Sequence, residues 1–474
     1  MLDRVYLARR SLLRTVAGFA ALGVPNLARG RGRELPTPKA TGNQVYINAS
    51  KQLTTPLPLQ MWGQSMENND AVETLWNGRR PTAQGMKMPL VRILWKNANS
   101  SDDVMSMSRL FPSATRSIRN TAGLDVQLSW LKANAPGAVY KLDPEYPRWY
   151  ADGTNIRLNG TDAQLQAQYR ALAQYCHDSG VEFTWWEGPG EWPGNTPANS
   201  GAIAAILQAG VKQVSADYKL SGPGQDYTNH SANDMKNGWL ASCPNPEAIS
   251  WDVYWWNSSG YPTAAQMQGS VSNVTRDQGA GDGSTGVAYV RSVANSHGLT
   301  SVPLICSEFN WDSDDSGLNG SQQDIAYVAT QLTSLVNSGC NVIAACHWHM
   351  HSVMLRAKDW SLCPMANYYR HAVSVMGGYL VDKSVGSGVA SGVLIMPSRR
   401  GPTGSITAAH IVNSDLSNPA TISLRVVGWS AGNVTQWQSN SGAPGGSSSG
   451  VSQASLSNLV LPASSVTMIS GTVA

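Results

Sequence analysis

Eight short apolar runs, separated by stretches of helical periodicity, occupy the chain from about residue 40 to residue 380. The clearest helical stretch is Asp162–Ser179, where Thr161 is placed to cap the first turn. Alternation of strands and helices at this length predicts parallel strands with crossover helices. Eight such units predict a closed (β/α)8 barrel. The first run ends near Met61 or Trp62, and the others are Leu90–Trp95, Val139–Leu142, Phe183–Glu187, Lys219–Ser221, Ile249–Tyr254, Val302–Ser307 and Asn341–His347.

The pattern changes after about residue 380, where strand-like runs are separated by Gly, Ser, Pro and Asn. The tract Ser439–Gly450 consists mostly of Ser and Gly and predicts a flexible loop. We therefore expect a barrel in residues 34–380 and a C-terminal antiparallel β-sandwich in residues 381–474, packed on the barrel. The predicted sandwich strands are Val389–Met396, Ser405–Val412, Ala420–Val427 and Leu459–Ile469.

The N-terminus carries a twin arginine, Arg9 and Arg10, before the modest apolar run Val16–Val24. This run is far shorter than the roughly 20 residues that cross a bilayer. The combination predicts a Tat-type signal peptide over residues 1–33, and a bacterial protein that is periplasmic or secreted. The alternative interpretation is the start of a basic amphipathic helix. No later segment resembles a membrane span, so no membrane partner is expected once the signal is removed.

Composition narrows the class of partner. Net charge is +3 with 34 basic and 31 acidic residues, most of the excess lying at the N-terminus, which predicts no nucleic-acid partner. Seventeen Trp and 16 Tyr stand against 4 Phe, a balance that suits a groove in which sugar rings stack, although a Trp-rich core is the alternative.

The six cysteines permit disulfides if the chain is exported, but Cys306 and Cys346 lie in apolar runs and are expected to be free.

Two carboxylates follow predicted barrel strands. Glu191 comes after the fourth strand, in the stretch FTWWEGPGEW, and Glu308 follows the seventh, in PLICSEFNW. Loops at the carboxyl ends of parallel barrel strands build the active site, so these two side chains are expected to face each other across the barrel mouth. Hydrolysis of a glycosidic bond requires such a pair, one protonated to donate to the leaving oxygen and one ionised to attack.

The stretch from Trp186 to Trp192 resembles the W-E-x-x-N-E-P-like motif of the clan A retaining glycoside hydrolases, and the stretch around Glu308 resembles their nucleophile motif. The resemblance implies that Glu191 is the acid/base, that Glu308 is the nucleophile and that Arg92 orients the nucleophile. Glu187 is then expected to be a paired strand residue. The segment Asp217–Gly224 resembles the β-xylosidase and α-L-iduronidase (family 39-like) branch.

The chain departs from the motif at two positions, since Gly190 replaces the usual Asn and Trp192 the usual Pro. That Asn bonds the 2-hydroxyl of the sugar in the family. Its absence suggests an unusual donor, a sugar substituted at the 2-position, or replacement by another side chain such as Asn195. The full set of predicted substrate-binding residues is Arg92, Trp149, Trp192, Asn195, Tyr254, Trp255, Trp311 and Trp348.

The alternating His347, His349 and His351 suggest a metal site, but no second His or Cys cluster completes one, so we expect no metal and no cofactor. The predicted function is a retaining hydrolase of β-glycosidic bonds in a poly- or oligosaccharide, endo-acting on a bacterial exopolysaccharide or a plant β-glycan. A non-catalytic carbohydrate-binding protein and a metal-dependent lyase are the alternatives. The sequence leaves open the sugar, the linkage and the oligomeric state.

Overall fold

A computed structural model describes most of the chain. The described residues are 36–67, 87–95, 106–115, 117–147, 149–150, 157, 159–189, 196–226, 238–256, 287–312, 321–348, 362–402, 405–430 and 434–473. In three strands the description covers the backbone only, at residues 225–226, 253–256 and 311–312. The described residues from Thr37 onward form one compact unit.

Eight parallel strands close into a barrel, in which the last strand pairs with the first through Gly63 and Cys346. The first described strand, β1 (Gln44–Leu57), lies outside this barrel in a second sheet. The predicted (β/α)8 architecture is confirmed. The barrel strands are β2 (Gly63–Glu67), β3 (Leu90–Leu94), β4 (Val139–Asp143), β5 (Phe183–Glu187), β6 (Lys219–Asp226), β7 (Ala248–Trp256), β8 (Leu304–Asp312) and β9 (Val342–His347).

Helices follow each of the strands β3 to β9. The helix after β4 begins with a capping box, in which Thr161 and Gln164 exchange side-chain and backbone hydrogen bonds. Its predicted apolar face is buried, including Leu165 and Cys176, so this helix is predicted correctly from its spacing. The helices are α1 (Met107–Leu110), α2 (Ala122–Asn134), α3 (Asp162–Asp178), α4 (Pro197–Val211), α5 (Leu240–Ser242), α6 (Val287–Ser296), α7 (Gln322–Asn337) and α8 (Pro364–Val375).

The interior of the barrel changes from apolar to polar along the strands. An apolar cluster that includes Leu90, Trp185 and Ile305 fills the part nearer the amino ends of the strands. Alternate residues of a strand share a face, so the next inward positions toward the carboxyl ends are Arg92, Glu187 and Ser307. All three are buried. The strands thus place a polar layer directly on an apolar plug.

The predicted first strand is displaced in the structure. Leu59–Trp62 forms a 3-10 turn with Met61 and Trp62 buried, and β2 begins only at Gly63. A side chain at position 63 would lie 2.8 Å from the Ala345 carbonyl oxygen, so the strand starts where glycine allows close approach. Apolar residues are buried in a turn as they are in a strand, so the apolar run before Gly63 was wrongly predicted to be the first barrel strand.

The second sheet has nine strands in the order β15-β14-β17-β12-β11-β10-β1-β13-β16. Inward side chains from both halves of this sheet, such as Val45 and Ile395 with Leu424 and Leu461, form one core, which is the packing of a β-sandwich. The β1–β13 pair is parallel, whereas the sandwich was expected to be antiparallel throughout. β1 itself comes from the segment predicted as the barrel. The remaining strands are β10 (Gly378–Val385), β11 (Val393–Arg399), β12 (Ile406–Asn413), β13 (Ala420–Val427), β14 (Val434–Asn440), β15 (Ala443–Val451), β16 (Leu459–Leu461) and β17 (Ser465–Thr472).

The tract predicted as a flexible loop is largely strand β15, and that prediction is wrong. β15 forms an antiparallel ladder with β14, in which Trp437 opposes Ser448. Gly446 has a φ of +79°, and a Cβ there would lie 2.2 Å from the Trp437 ring. Glycine lets the backbone cross the indole closely, and the strand is then held by backbone hydrogen bonds that composition does not reveal.

All six cysteines lie within the described ranges, are buried, and form no disulfide. No helix in the described part of the chain is both long and apolar enough to cross a membrane.

Candidate active site

Glu308 lies in the middle of β8, because this strand continues to Asp312 rather than ending before Glu308 as expected. A register shift places Trp251 opposite Cys306 but Asp252 opposite Glu308, so Ser307 is an extra residue relative to β7. A bulge of this kind re-aims side chains locally. It accounts for the fact that the consecutive residues Ser307 and Glu308 both contact the polar layer inside the barrel.

Arg92 is the centre of that layer. It lies at the middle of β3 and is 1% exposed. Its Nε donates to Glu187 Oε2 at 2.6 Å, and its Nη1 donates to Ser65 Oγ at 3.1 Å and to Glu308 Oε1. Burial alone would lower the pKa of Arg92, but the Glu187 and Glu308 carboxylates raise it well above its usual value. Arg92 therefore stays charged and fixes one oxygen of Glu308.

Glu187 is enclosed completely and is 0% exposed. Besides Arg92, it accepts from Lys141 Nζ at 2.6 Å and from Ser307 Oγ at 2.5 Å, both at Oε1. Burial alone would raise the pKa of Glu187, but Arg92 and Lys141 lower it to about 2. The expectation that Glu187 is a paired strand residue is confirmed, and its burial keeps it from touching a substrate.

Asp143 ends β4 beside this group, with Oδ2 at 3.7 Å from Arg92 Nη2. Burial and the neighbouring Glu187 raise the pKa of Asp143 well above its usual value, although Arg92 opposes them. Two positively charged side chains, Arg92 and Lys141, thus lie among several buried carboxyl groups. The raised pKa of Asp143 indicates that this carboxyl group takes up a proton more readily than Glu187.

The predicted aromatic residues have different surroundings. Trp348 directly follows β9 at the barrel mouth, where it packs on Leu94 and is 5% exposed. Trp149 is 9% exposed, lies edge-on to Tyr150 and packs so closely on Gly160 that a Cβ there would be 2.0 Å from the ring. Trp149 therefore forms part of the hydrophobic core.

The side chains of six predicted site residues lie outside the part of the chain that the structure describes. Tyr254 and Trp255 lie in β7 and Trp311 lies in β8, but only their backbone is described. The acid/base candidate Glu191, together with Trp192 and Asn195, lies outside the described residues. The structure therefore brings together Arg92 and Glu308 from the predicted set, with Trp348 at the rim.

His347 is buried between the rings of Phe309 and Tyr369, with ring centroids at 5.3 and 5.7 Å, and its Nε2 lies 3.3 Å from Asn310 Oδ1. Burial lowers its pKa to about 3, so the imidazole is neutral at physiological pH. His349 and His351 lie outside the described residues. Among the residues that are described, no group of three or more His, Cys, Asp or Glu side chains is placed to hold a metal.

Sequence reasoning missed Lys141, Ser307, Ser65 and Asp143. A signal was present for Lys141, because a lysine inside the apolar run VYKL is rarely buried without a partner. Ser307 gave no such signal, since strand alternation places only one of two consecutive residues inside the barrel.

No family model and no curated protein matches the chain. Solved structures do match. AbfB, a family 51 α-L-arabinofuranosidase from Bifidobacterium longum, superposes with a TM-score of 0.67 at 15% identity, covering 91% of this chain and 100% of that one. Xyn30A, a family 30 subfamily 8 xylanase from Clostridium acetobutylicum, gives 0.62 at 14% identity, with 91% and 100% covered. A monomeric β-xylosidase from Caulobacter crescentus gives 0.57 at 11% identity, with 91% and 99% covered.

The chain has the fold of these glycoside hydrolases. The predicted resemblance to the clan A retaining glycoside hydrolases is confirmed for the fold. The closer likeness to the family 39-like branch stays a prediction.

Proposed function

We propose that the protein is a retaining glycoside hydrolase that acts on a poly- or oligosaccharide. The observation that carries this proposal is the buried Arg92–Glu308 pair, which lies in the polar layer inside an eight-stranded barrel. The likeness in fold to glycoside hydrolases supports it. We further propose β-linked substrates, either a bacterial exopolysaccharide or a plant β-glycan, and endo action.

The proposed reaction is a double displacement. A carboxylate oxygen of Glu308 forms a bond to the anomeric carbon while the bond from that carbon to the leaving oxygen breaks, and Glu191 gives its proton to that oxygen. Glu191 then takes a proton from a water molecule, whose oxygen bonds to the anomeric carbon and displaces Glu308. Two inversions give net retention of configuration. Arg92 holds one oxygen of Glu308 through both steps.

The decisive test is hydrolysis of a panel of β-glycans and aryl β-glycosides by the protein and by Glu308→Ala and Glu191→Ala. We expect Glu308→Ala to lower the rate by about 10⁴-fold or more, the scale seen when a nucleophile is removed. Glu182→Ala is the matched control, because Glu182 lies at the surface paired with His177. NMR of the first-formed product should show the retained anomer.

Three outcomes would contradict the proposal: activity that survives Glu308→Ala, an inverted first product, or loss of activity on chelation, which would favour the metal-dependent lyase. Binding of a glycan by a wild-type protein that hydrolyses none of the panel would favour the non-catalytic carbohydrate-binding alternative.

We also propose that the protein is exported by the Tat system to the periplasm or beyond. The twin arginine Arg9–Arg10 supports this proposal. So does the absence of disulfides among the six cysteines, because a fold that needs no oxidation can form in the reducing cytoplasm before translocation.

A further inference from the structure

Lys141 is a fully buried cation that the reaction as proposed does not use. It lies on β4 next to Arg92 on β3, and both its hydrogen bonds stay inside the barrel, to Glu187 Oε1 and to Ser307 Oγ. Its side chain is 0% exposed, so it does not reach a substrate. Burying an ammonium group costs several kcal/mol unless it is paired. The pairing of Lys141 with Glu187 offsets this cost.

The two oxygens of Glu187 have different partners. Oε1 accepts from Lys141 and Ser307, whereas Oε2 accepts from Arg92 Nε. Arginine and a carboxylate commonly form a two-point pair when both oxygens are available. Here Oε1 is already engaged, so Arg92 meets Glu187 at one point, and its Nη1 is left to donate to Ser65 and Glu308. A two-point pair would draw the guanidinium toward Glu187 and away from Glu308.

We propose that Lys141 is a positioning residue that acts through Glu187: by holding Oε1, it keeps Arg92 on Glu308. The inference rests on the proposed function, in which Glu308 is the nucleophile. Lys141 touches neither Glu308 nor any mouth residue through its described hydrogen bonds. Its effect on Glu308 therefore passes mainly through the Lys141–Glu187–Arg92 chain.

The charges around Glu308 set the sign of the expected pH effect. Lys141 supplies one of the two positive charges of this layer, so its removal leaves the layer more negative. The acid limb of the pH profile of kcat/KM reports the group that must be ionised in the free enzyme, so it should move to higher pH. Among the described residues, the titratable groups set against Glu308 include Arg92 on β3, Asp252 on β7, Cys306 on β8 itself and Cys346 on β9. Lys141 and Asp143 on β4 and Glu187 on β5 lie around Arg92 in the same layer.

The test compares Lys141→Met, Glu187→Gln, the double variant and Lys212→Met. Lys212→Met is the matched control, because Lys212 is a lysine paired with Glu247 at the amino ends of the strands. We expect Lys141→Met to move the acid limb upward by about one pH unit, the size of a charge contact within a few ångströms. It should lower kcat at nearly unchanged KM. Glu187→Gln should move the limb downward, and adding Lys141→Met to Glu187→Gln should move it much less than Lys141→Met does in the wild type, because Lys141 acts through the Glu187 carboxylate.

The double variant also protects the test against misfolding, since it removes the buried pair together and leaves no lone charge. The second readout needs no substrate. Hydrogen exchange of the Arg92 Nη protons, assigned by their loss in Arg92→Lys, should quicken about tenfold in Lys141→Met, which corresponds to about 1.4 kcal/mol of lost contact.

A pH profile and an Arg92 exchange rate that both stay at wild-type values in Lys141→Met would overturn the inference. So would an upward shift equal in size with and without Glu187, because Lys141 would then act directly on Glu308. Failure of the proposed function would be recognised by a different result, namely that the wild-type protein hydrolyses no substrate. In that case the exchange rate of Arg92 alone decides whether Lys141 positions it.

Discussion

Gly224 on β6 lies against the enclosed carboxylate of Glu187, and replacing it by alanine tests the geometry of the polar layer. A Cβ at this position would lie 2.7 Å from Glu187 Oε1 and 2.8 Å from its Cδ. Real Cβ atoms essentially never approach other atoms so closely, so one side must move. The carboxylate is fixed by Arg92, Lys141 and Ser307, and its displacement must weaken those hydrogen bonds.

Two effects add in Gly224→Ala. The backbone at Gly224 has a φ of +58°, and a left-handed conformation costs a residue with a side chain about 1–2 kcal/mol. Weakening a hydrogen-bonded, buried charge cluster adds about 3 kcal/mol, toward the lower end of the cost of breaking a buried ion pair. We therefore expect the free energy of unfolding to fall by about 4–5 kcal/mol, a large share of the 5–15 kcal/mol that is typical of native proteins.

Urea denaturation of Gly224→Ala beside Gly42→Ala separates the two effects. Gly42 has a similar φ of +52°, but nothing lies within 4 Å of a Cβ there, so this control carries only the backbone cost. In a Glu187→Ala background the carboxylate is gone, and Gly224→Ala should cost no more than Gly42→Ala. Equal destabilisation by the two glycine variants in the wild-type background would refute the tight enclosure of Glu187.

Two further predictions concern pH and export. Burial lowers the pKa of His347 to about 3, so between pH 6.5 and 3 the unfolded chain binds a proton that the folded protein does not. In this range the free energy of unfolding should therefore fall by about 1.4 kcal/mol for each unit of falling pH. His347→Phe should remove that slope from a series of denaturation curves at different pH, and an unchanged slope would contradict a buried neutral imidazole. Replacing Arg9 and Arg10 by lysine should keep the protein in the cytoplasm of a bacterial host, as measured by cell fractionation, whereas recovery of the variant from the periplasm would argue against Tat export.

The barrel was predictable because each unit is local: an apolar run, a capped amphipathic helix and a polar residue near the carboxyl end of the strand. This pattern predicts Glu308, whereas Arg92 is implied by the resemblance to the clan A retaining glycoside hydrolases, and the structure places the two in contact. Lys141 inside the apolar run VYKL is a comparable local signal, because a charged side chain within a buried strand requires a partner.

The features of the fold that the sequence did not predict depend on long-range geometry. The bulge at Ser307 arises from pairing with both neighbouring strands, and no local pattern marks it. β15 has a loop-like composition and becomes a strand only because β14 supplies its hydrogen-bond partners and Trp437 accommodates its glycines. The partners of β1 lie more than three hundred residues away, beyond the reach of any periodicity.

The position of β1 has a consequence for synthesis of the chain. This strand of 14 residues is made before the whole barrel, yet its two neighbours, β10 and β13, are translated only after the barrel is complete. A nascent chain that has just finished β9 therefore presents β1 with both edges unpaired, which is the arrangement that invites association between chains. We expect that β1 reaches its final pairing only after both β10 and β13 have been synthesised.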